Sequence, residues 1–134
     1  MADSVITKIR VRYAECDPMQ VAHHSAYFVW CEAGRADYCR VRGIDYIQME
    51  RDGLFLPVVE ARCRYLAGAR YDDELILTTR VVERKRRTVR FAYRIEREGV
   101  LIAEAETYQM LIDREGRPRS WPEEIAALFA PDTE

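Results

Sequence analysis

Several features are missing from this 134-residue chain, and each absence removes a class of function. No run reaches the ~20 consecutive apolar residues that a membrane-crossing helix requires, so no span is expected. There is no G-x-S-x-G elbow and no glycine-rich phosphate loop; the glycines at 34, 43, 53, 68, 99 and 116 are scattered. Cys16, Cys31, Cys39 and Cys63 form no C-x-x-C pair, and His23 and His24 are the only histidines, so no metal centre is expected. Charge imbalance is also absent. Lys plus Arg is 21 against 23 for Asp plus Glu, a net charge of -2, which excludes the strong positive field of a dedicated nucleic-acid binder. Free thiols and no secretory leader before the first strand lead us to expect a cytoplasmic protein.

What is present is enough for one domain, taken as residues 1–134. Alternation over residues 4–14 puts Val5, Ile9, Val11 and Tyr13 on one face and Lys8, Arg10 and Arg12 on the other, the pattern of a half-buried strand. A long helix is expected over about 25–42, with Gly43 taking the left-handed cap. Asp45 and Gln48 mark the start of a shorter helix that Gly53 stops. From Leu54 the period becomes two, and Pro57 suggests an edge position. Strands follow over about 74–83, 87–97 and 100–113, the last two joined at Glu98-Gly99. Ser120, Pro122 and Glu123 form a capping signal for a terminal helix over 121–129. Consecutive hairpins leave no crossovers for a parallel sheet, so the class is α+β, with the long helix wrapped by an antiparallel sheet of about five strands.

The chemistry concentrates in Cys16–Val41, CDPMQVAHHSAYFVWCEAGRADYCRV. Tyr27, Trp30, Cys31, Gly34, Tyr38 and Val41 share one helical face. The polar lead-in, with Asp17 and His24, precedes the helix N-terminus, where free amides and the positive end of the macrodipole favour developing negative charge. An ionised carboxylate beside such amides can act on a carbonyl, as nucleophile or as general base.

The run D-P-M-x-V-x-H-H-x-x-Y, followed by Trp30, Glu32 and Arg35 and later by Y-D-D-E at 71–74, resembles the signature of hotdog-fold acyl-CoA thioesterases, including the 4-hydroxybenzoyl-CoA and Tol-Pal-associated groups. The resemblance covers most of the chain. It implies a hotdog fold and hydrolysis of an aromatic or short- to medium-chain acyl-CoA, with no cofactor beyond the CoA that the substrate carries. It also implies assembly into a homodimer or homotetramer with the active site between subunits. It places the catalytic carboxylate on Asp17 and an oxyanion-binding amide on His24. Beside them His23 and Tyr27 are expected to contact substrate, and Glu60, if its strand face lines a subunit interface, to bind substrate or position water. Arg84, Lys85, Arg86, Arg87 and Arg90 become an anchor for the CoA phosphates. The chain departs from the pattern at Gln20, where relatives carry a glycine that tolerates positive φ or close backbone approach.

Each residue also has a plainer reading. Asp17 before Pro18 suits any turn, Glu60 suits a surface ion pair with Arg62, Glu32 suits an i,i+3 pair with Arg35, and a basic turn is often simply solvated. Two rival functions stay open at this point: an acyl-thioester dehydratase or hydratase of the same fold, and a non-catalytic acyl-CoA binding module.

Overall fold

The computed structural model describes residues 4–131. Its strands are β1 (Val5–Arg10), β2 (Val58–Tyr65), β3 (Glu74–Arg84), β4 (Thr88–Arg97) and β5 (Val100–Met110), and its helices are α1 (His24–Val41), α2 (Tyr46–Arg51) and α3 (Glu123–Ala126). The strands form one antiparallel sheet in the order β1-β3-β4-β5-β2. Alternation decides which side faces inward: Leu75, Leu77, Thr79 and Val81 of β3 and Val89, Phe91, Tyr93 and Ile95 of β4 are buried, as the period of two predicts.

The helix α1 lies across that inner face. Tyr38 meets Phe91 edge-on at 5.4 Å, and Gly34 lets the helix backbone settle onto Leu77 and Thr79. Its end is a Schellman motif: Ile44 N–H donates to Cys39 O (2.8 Å), Gly43 N–H to Arg40 O (3.2 Å), and Gly43 takes φ +76°. Among the described residues no helix is long and apolar enough to cross a membrane.

Four expectations need correction. Val41 is 68 % exposed, because the buried stripe drifts one position and ends on Cys39. Tyr13 is 79 % exposed, since the chain leaves β1 at Arg10 and turns into a 3-10 segment over Tyr13–Glu15, where Tyr13 packs edge-on against Tyr71. The terminal helix starts at Glu123, two residues later than its signal implied, and its last turn, Ala127–Phe129, is 3-10. Pro122 is its N-cap, and the Ser120 hydroxyl accepts a hydrogen bond from Arg86 Nε (3.1 Å) instead of capping. The strand expected from Leu54 begins at Val58, and a bulge between Val58 and Glu60 breaks its alternation.

The sheet has two edges with different character. At β1, Thr7 Oγ1 donates to Asp37 of α1 (2.7 Å), which ties that edge to the helix. At β2 no residue is fully buried, and Val58, Val59 and Tyr65 stand 45 %, 58 % and 42 % exposed. An apolar edge strand of this kind is a template for pairing.

Two buried thiols give the fold an alkaline limit. Burial, the largest influence on each, pushes the Cys31 thiol up to about 12 and Cys39 up to about 11, against an ordinary value of 9.0. Because the folded values lie above the unfolded one, this contribution is complete below pH 9 and is lost as pH rises through 9 to 12. Thermal melts are expected to weaken steadily above pH 9, and Cys31→Ala should flatten that slope.

Candidate active site

The lead-in to α1 is a small hairpin. Cys16 bridges Ala22, Asp17 N–H donates to Val21 O (2.9 Å), and His23 N–H donates to Glu15 O (2.7 Å). Glu15, which sequence reading passed over, pins the hairpin to the helix. Its carboxylate accepts Arg12 N–H (2.8 Å) on one oxygen and Trp30 Nε1–H (3.1 Å) on the other. A second tie comes from Ala22 N–H to Ala69 O (2.7 Å), in the connection between β2 and β3.

At the hairpin tip the two oxygens of Asp17 have different surroundings. Oδ1 accepts Met19 N–H (2.9 Å) and Val21 N–H (3.4 Å), which fixes the half-buried carboxylate, while Oδ2 makes no hydrogen bond among the described residues. Gln20 closes the turn by donating its N–H to Asp17 O (2.8 Å), with φ +68°. That is the conformation the usual glycine adopts without cost, whereas an L side chain there is strained by roughly 1–2 kcal/mol. Gln20→Gly is expected to raise unfolding stability by about 0.5–1 kcal/mol after the greater flexibility of glycine in the unfolded chain is set against it. Urea denaturation reads this directly.

His23 is the N-cap of α1. Its Nδ1 accepts Ser25 N–H (3.2 Å) and lies 2.8 Å from Ser25 Oγ, which puts the ring proton on Nε2. The exposed His24 ring tilts against it at 4.1 Å between centroids. His24 is the first helical residue, so its own N–H has no carbonyl behind it to bind. No acidic residue occupies the first turn, so nothing on the helix itself offsets the positive end of the dipole.

Tyr65, at the end of β2, also escaped the sequence reading. Its hydroxyl donates to His24 O (3.0 Å), and its ring packs edge-on against Tyr27 at 4.9 Å. Burial, with Cys63 next in weight, raises its pKa to about 12, so it stays a neutral donor. The only clue in the sequence was an aromatic closing the apolar face of an edge strand. Tyr27 is 2 % exposed, and its hydroxyl accepts Ala69 N–H (3.2 Å), so it forms the wall beneath the helix N-terminus.

The structure therefore joins His23, His24, Tyr27 and Tyr65 at one end of β2, with Asp17 on the hairpin that leads into the same helix N-terminus. The basic residues lie elsewhere. Arg84, Lys85, Arg86 and Arg87 form the β3–β4 turn, and the eleven residues of β3 place it roughly 33 Å from the end of the sheet that carries His24. Arg90 is held by Glu83 (3.7 Å) and Glu106 (3.5 Å) and lies over the Tyr108 ring. Glu60 is exposed beside the β2 bulge.

A cavity of about 670 Å³ opens between the C-terminal half of α1, α2 and the start of β2, lined in part by Arg35, Cys39, Tyr46, Leu56, Val58 and Phe91. Arg35 turns inward and donates to Tyr93 Oη (3.0 Å), so the expected pair with Glu32 is not formed. Within one chain, then, the N-terminus of α1 and the cavity sit at opposite ends of the same open edge.

The description "Thioesterase-like superfamily" belongs to the family whose model matches residues 11–129. A hypothetical protein of Thermus thermophilus of known structure is 41 % identical, with 92 % of this chain and 95 % of that one covered and a TM-score of 0.87. The DHNA-CoA thioesterase of Staphylococcus aureus is 28 % identical, with coverage of 94 % and 88 % and a TM-score of 0.90. The acyl-CoA thioesterase YbgC of Haemophilus influenzae is 28 % identical over 125 residues, covering 90 % of each chain.

Proposed function

This chain belongs to the thioesterase-like superfamily, has the hotdog fold and is an acyl-CoA thioester hydrolase, and from that premise we propose how its residues do the work and where the substrate lies. The reaction takes an acyl-CoA and water to a free acid and CoA-SH. The carbonyl oxygen of the thioester lies against the His24 amide, which stabilises the tetrahedral oxyanion; one such donor typically contributes roughly 3–4 kcal/mol. Asp17 faces the carbonyl carbon with its unbonded Oδ2.

Either of two steps follows. As general base, Asp17 takes a proton from water while the water oxygen bonds to the carbonyl carbon. As nucleophile, it forms an anhydride that water then opens. In both, the C–S bond breaks, the sulfur leaves as thiolate and ends protonated as CoA-SH. Oδ1 stays on the Met19 and Val21 amides throughout, so the carboxylate needs no reorientation.

The observation that carries this reading is the open β2 edge, with the N-terminus of α1 at one end and the cavity at the other. When β2 pairs antiparallel with its own copy over its full length, Val58 comes opposite Tyr65 of the second copy. The cavity of one protomer then faces Asp17 and His24 of the other. A two-fold dimer has two such composite sites, each with a carboxylate from one chain and an acyl cavity from its neighbour. Glu60 lies inside this interface. The same inversion carries the β3–β4 turn of the neighbour to the end of the sheet that holds Asp17. There Arg84, Lys85, Arg86 and Arg87 meet the CoA phosphates. Arg90, already paired, adds less.

Aromatic and short- to medium-chain thioesters are the substrate class that the cavity suits. The test is a panel of benzoyl-, hydroxybenzoyl- and C4 to C10 acyl-CoAs with free thiol as readout. Release of CoA from part of the panel is expected, and absence of free thiol from every member overturns the proposal.

A further inference from the structure

The cavity between α1, α2 and β2 is largely apolar, with Glu32, Arg35, Arg40 and Asp45 as the charged residues of its lining, and of its two cations Arg35 is the one that neither the hydrolytic mechanism nor an ion pair uses. Arg35 is half-buried on α1, and among the described residues it forms no ion pair; its neighbour Arg40, by contrast, is taken up by Asp37 at 2.6 Å. The hydrogen-bond partner of Arg35 among the described residues is a neutral hydroxyl, Tyr93 Oη. A leucine at this position would pack the same wall with no desolvation penalty, whereas a guanidinium taken partly out of water needs an anion or several acceptors to offset that penalty.

What lies behind Arg35 is built. Tyr93, Thr107 and Gln109 are 1 %, 2 % and 1 % exposed, in the middle of the sheet's inner face. Thr107 Oγ1 donates to Gln109 Oε1 (3.2 Å), so the single proton of that hydroxyl is in use. The 2.5 Å contact between Tyr93 and Thr107 must then carry the tyrosine proton, which leaves Tyr93 Oη free to accept from Arg35. The chain runs one way, Arg35 to Tyr93 to Thr107 to Gln109. Burial raises the Tyr93 pKa to about 12, which keeps that proton in place. A directed, buried chain of this kind holds the guanidinium in one orientation and leaves its remaining N–H groups available at the cavity wall.

We propose that Arg35 is a specificity-determining residue that recognises an oxygen acceptor, a carboxylate or hydroxyl, at the end of the acyl group distal to the thioester. The proposal rests on the composite site described above, which sets the thioester against one protomer and the acyl group in the cavity of the other. The CoA phosphates are a poorer fit to Arg35. They are multiply charged, the cavity walls are mostly apolar and carry the carboxylates of Glu32 and Asp45, and the β3–β4 turn offers exposed cations.

The experiment uses pairs of thioesters matched in size, benzoyl- with 4-hydroxybenzoyl-CoA and hexanoyl- with adipoyl-CoA. The measured quantity is the ratio of kcat/KM for the oxygenated member over its partner, in the native enzyme, Arg35→Met and Tyr93→Phe. A ratio of roughly 10 to 100, carried mainly by KM, is expected in at least one pair for the native enzyme, the range for one charge-assisted hydrogen bond. Arg35→Met should bring it close to one. Tyr93→Phe, which keeps the cation but removes its aim, should fall between, and thermal melts check that both variants fold. A native ratio near one in both pairs, or a ratio that Arg35→Met leaves intact, overturns the proposal. Calorimetric binding of the same pairs to Asp17→Asn protein gives the preference without turnover. If no thioester releases thiol, the reaction reading fails while the binding ratio still decides the role of Arg35.

Discussion

Asp17→Asn is expected to lower kcat for CoA release by about a thousandfold, the middle to upper range for loss of a positioned general base, and by more if the carboxylate is the nucleophile. The substitution separates chemistry from structure. The two amides that hold the turn bind Oδ1, and asparagine retains a carbonyl oxygen for Met19 N–H and Val21 N–H. What changes is the outer atom: a carboxylate oxygen with free lone pairs becomes an NH2 group that accepts nothing. Unfolding temperature should therefore stay within about 2 °C of the native value, a change of less than ~1 kcal/mol. Asp17→Ala would lose both functions together and is the less informative variant. If Asp17→Asn protein releases CoA at more than a tenth of the native rate, residue 17 is a turn aspartate and the catalytic group lies elsewhere.

The largest structural effect is expected at Gly34, for a reason unrelated to flexibility. A Cβ built there would stand 2.5 Å from Leu77 Cδ2 and closer still to Thr79 Oγ1, both on the strand beneath the helix. Leu77 and Thr79 are fully buried, so neither has solvent to move into. Gly34→Ala must lift α1 off β3 or force rotamers in the core, at a cost of about 3 kcal/mol, overriding alanine's better helix propensity of up to ~1 kcal/mol. The melting midpoint followed by circular dichroism should drop by roughly 10 °C. Because α1 carries His24 at its start and Arg35 in its middle, activity in the folded fraction should fall as well. An unchanged midpoint would mean that helix and sheet are not in the contact described.

How much of this was legible in the sequence follows from how local each feature is. The inner faces of β3 and β4 could be read from alternation because both strands have one dry and one wet side. The C-terminal cap of α1 could be read because Gly43 is the residue a Schellman turn requires. Asp17 and His24 could be singled out because they lie seven residues apart in one local segment, the hairpin over 16–22 and the first residue of α1. Tyr13 was misplaced because it lies past the end of β1, where the period no longer applies, and Val41 because it is the last residue of α1, beyond the part of the helix that the sheet covers. Glu15 looked like an ordinary surface acid, and its bond to Trp30 depends on the hairpin folding back on the helix.

Other features depend on topology. The basic turn was legible as a cluster, but its distance from His24 follows from the length and direction of β3. Arg35 was read as a partner for Glu32 at helical spacing. Only the placement of β4 and β5 beneath α1 shows Tyr93, Thr107 and Gln109 in line behind it. Likewise, the exposed state of β2 belongs to the sheet order, since a strand with Val58, Val59 and Tyr65 would be half-buried anywhere but at an edge.

The claim on which the account stands is that one protomer supplies Asp17 and the His24 amide while the other supplies the acyl cavity. Co-refolding two variants tests it directly. Asp17→Asn lacks the carboxylate, and Ala36→Trp fills the cavity from its half-buried position on α1. Each is expected to be inactive alone. In an equal mixture half of the dimers are mixed, and each mixed dimer has one site in which both contributions are intact, so about a quarter of native activity should return. A mixture that stays as inactive as its components, despite forming mixed dimers, would place carboxylate and cavity in the same chain and contradict the account.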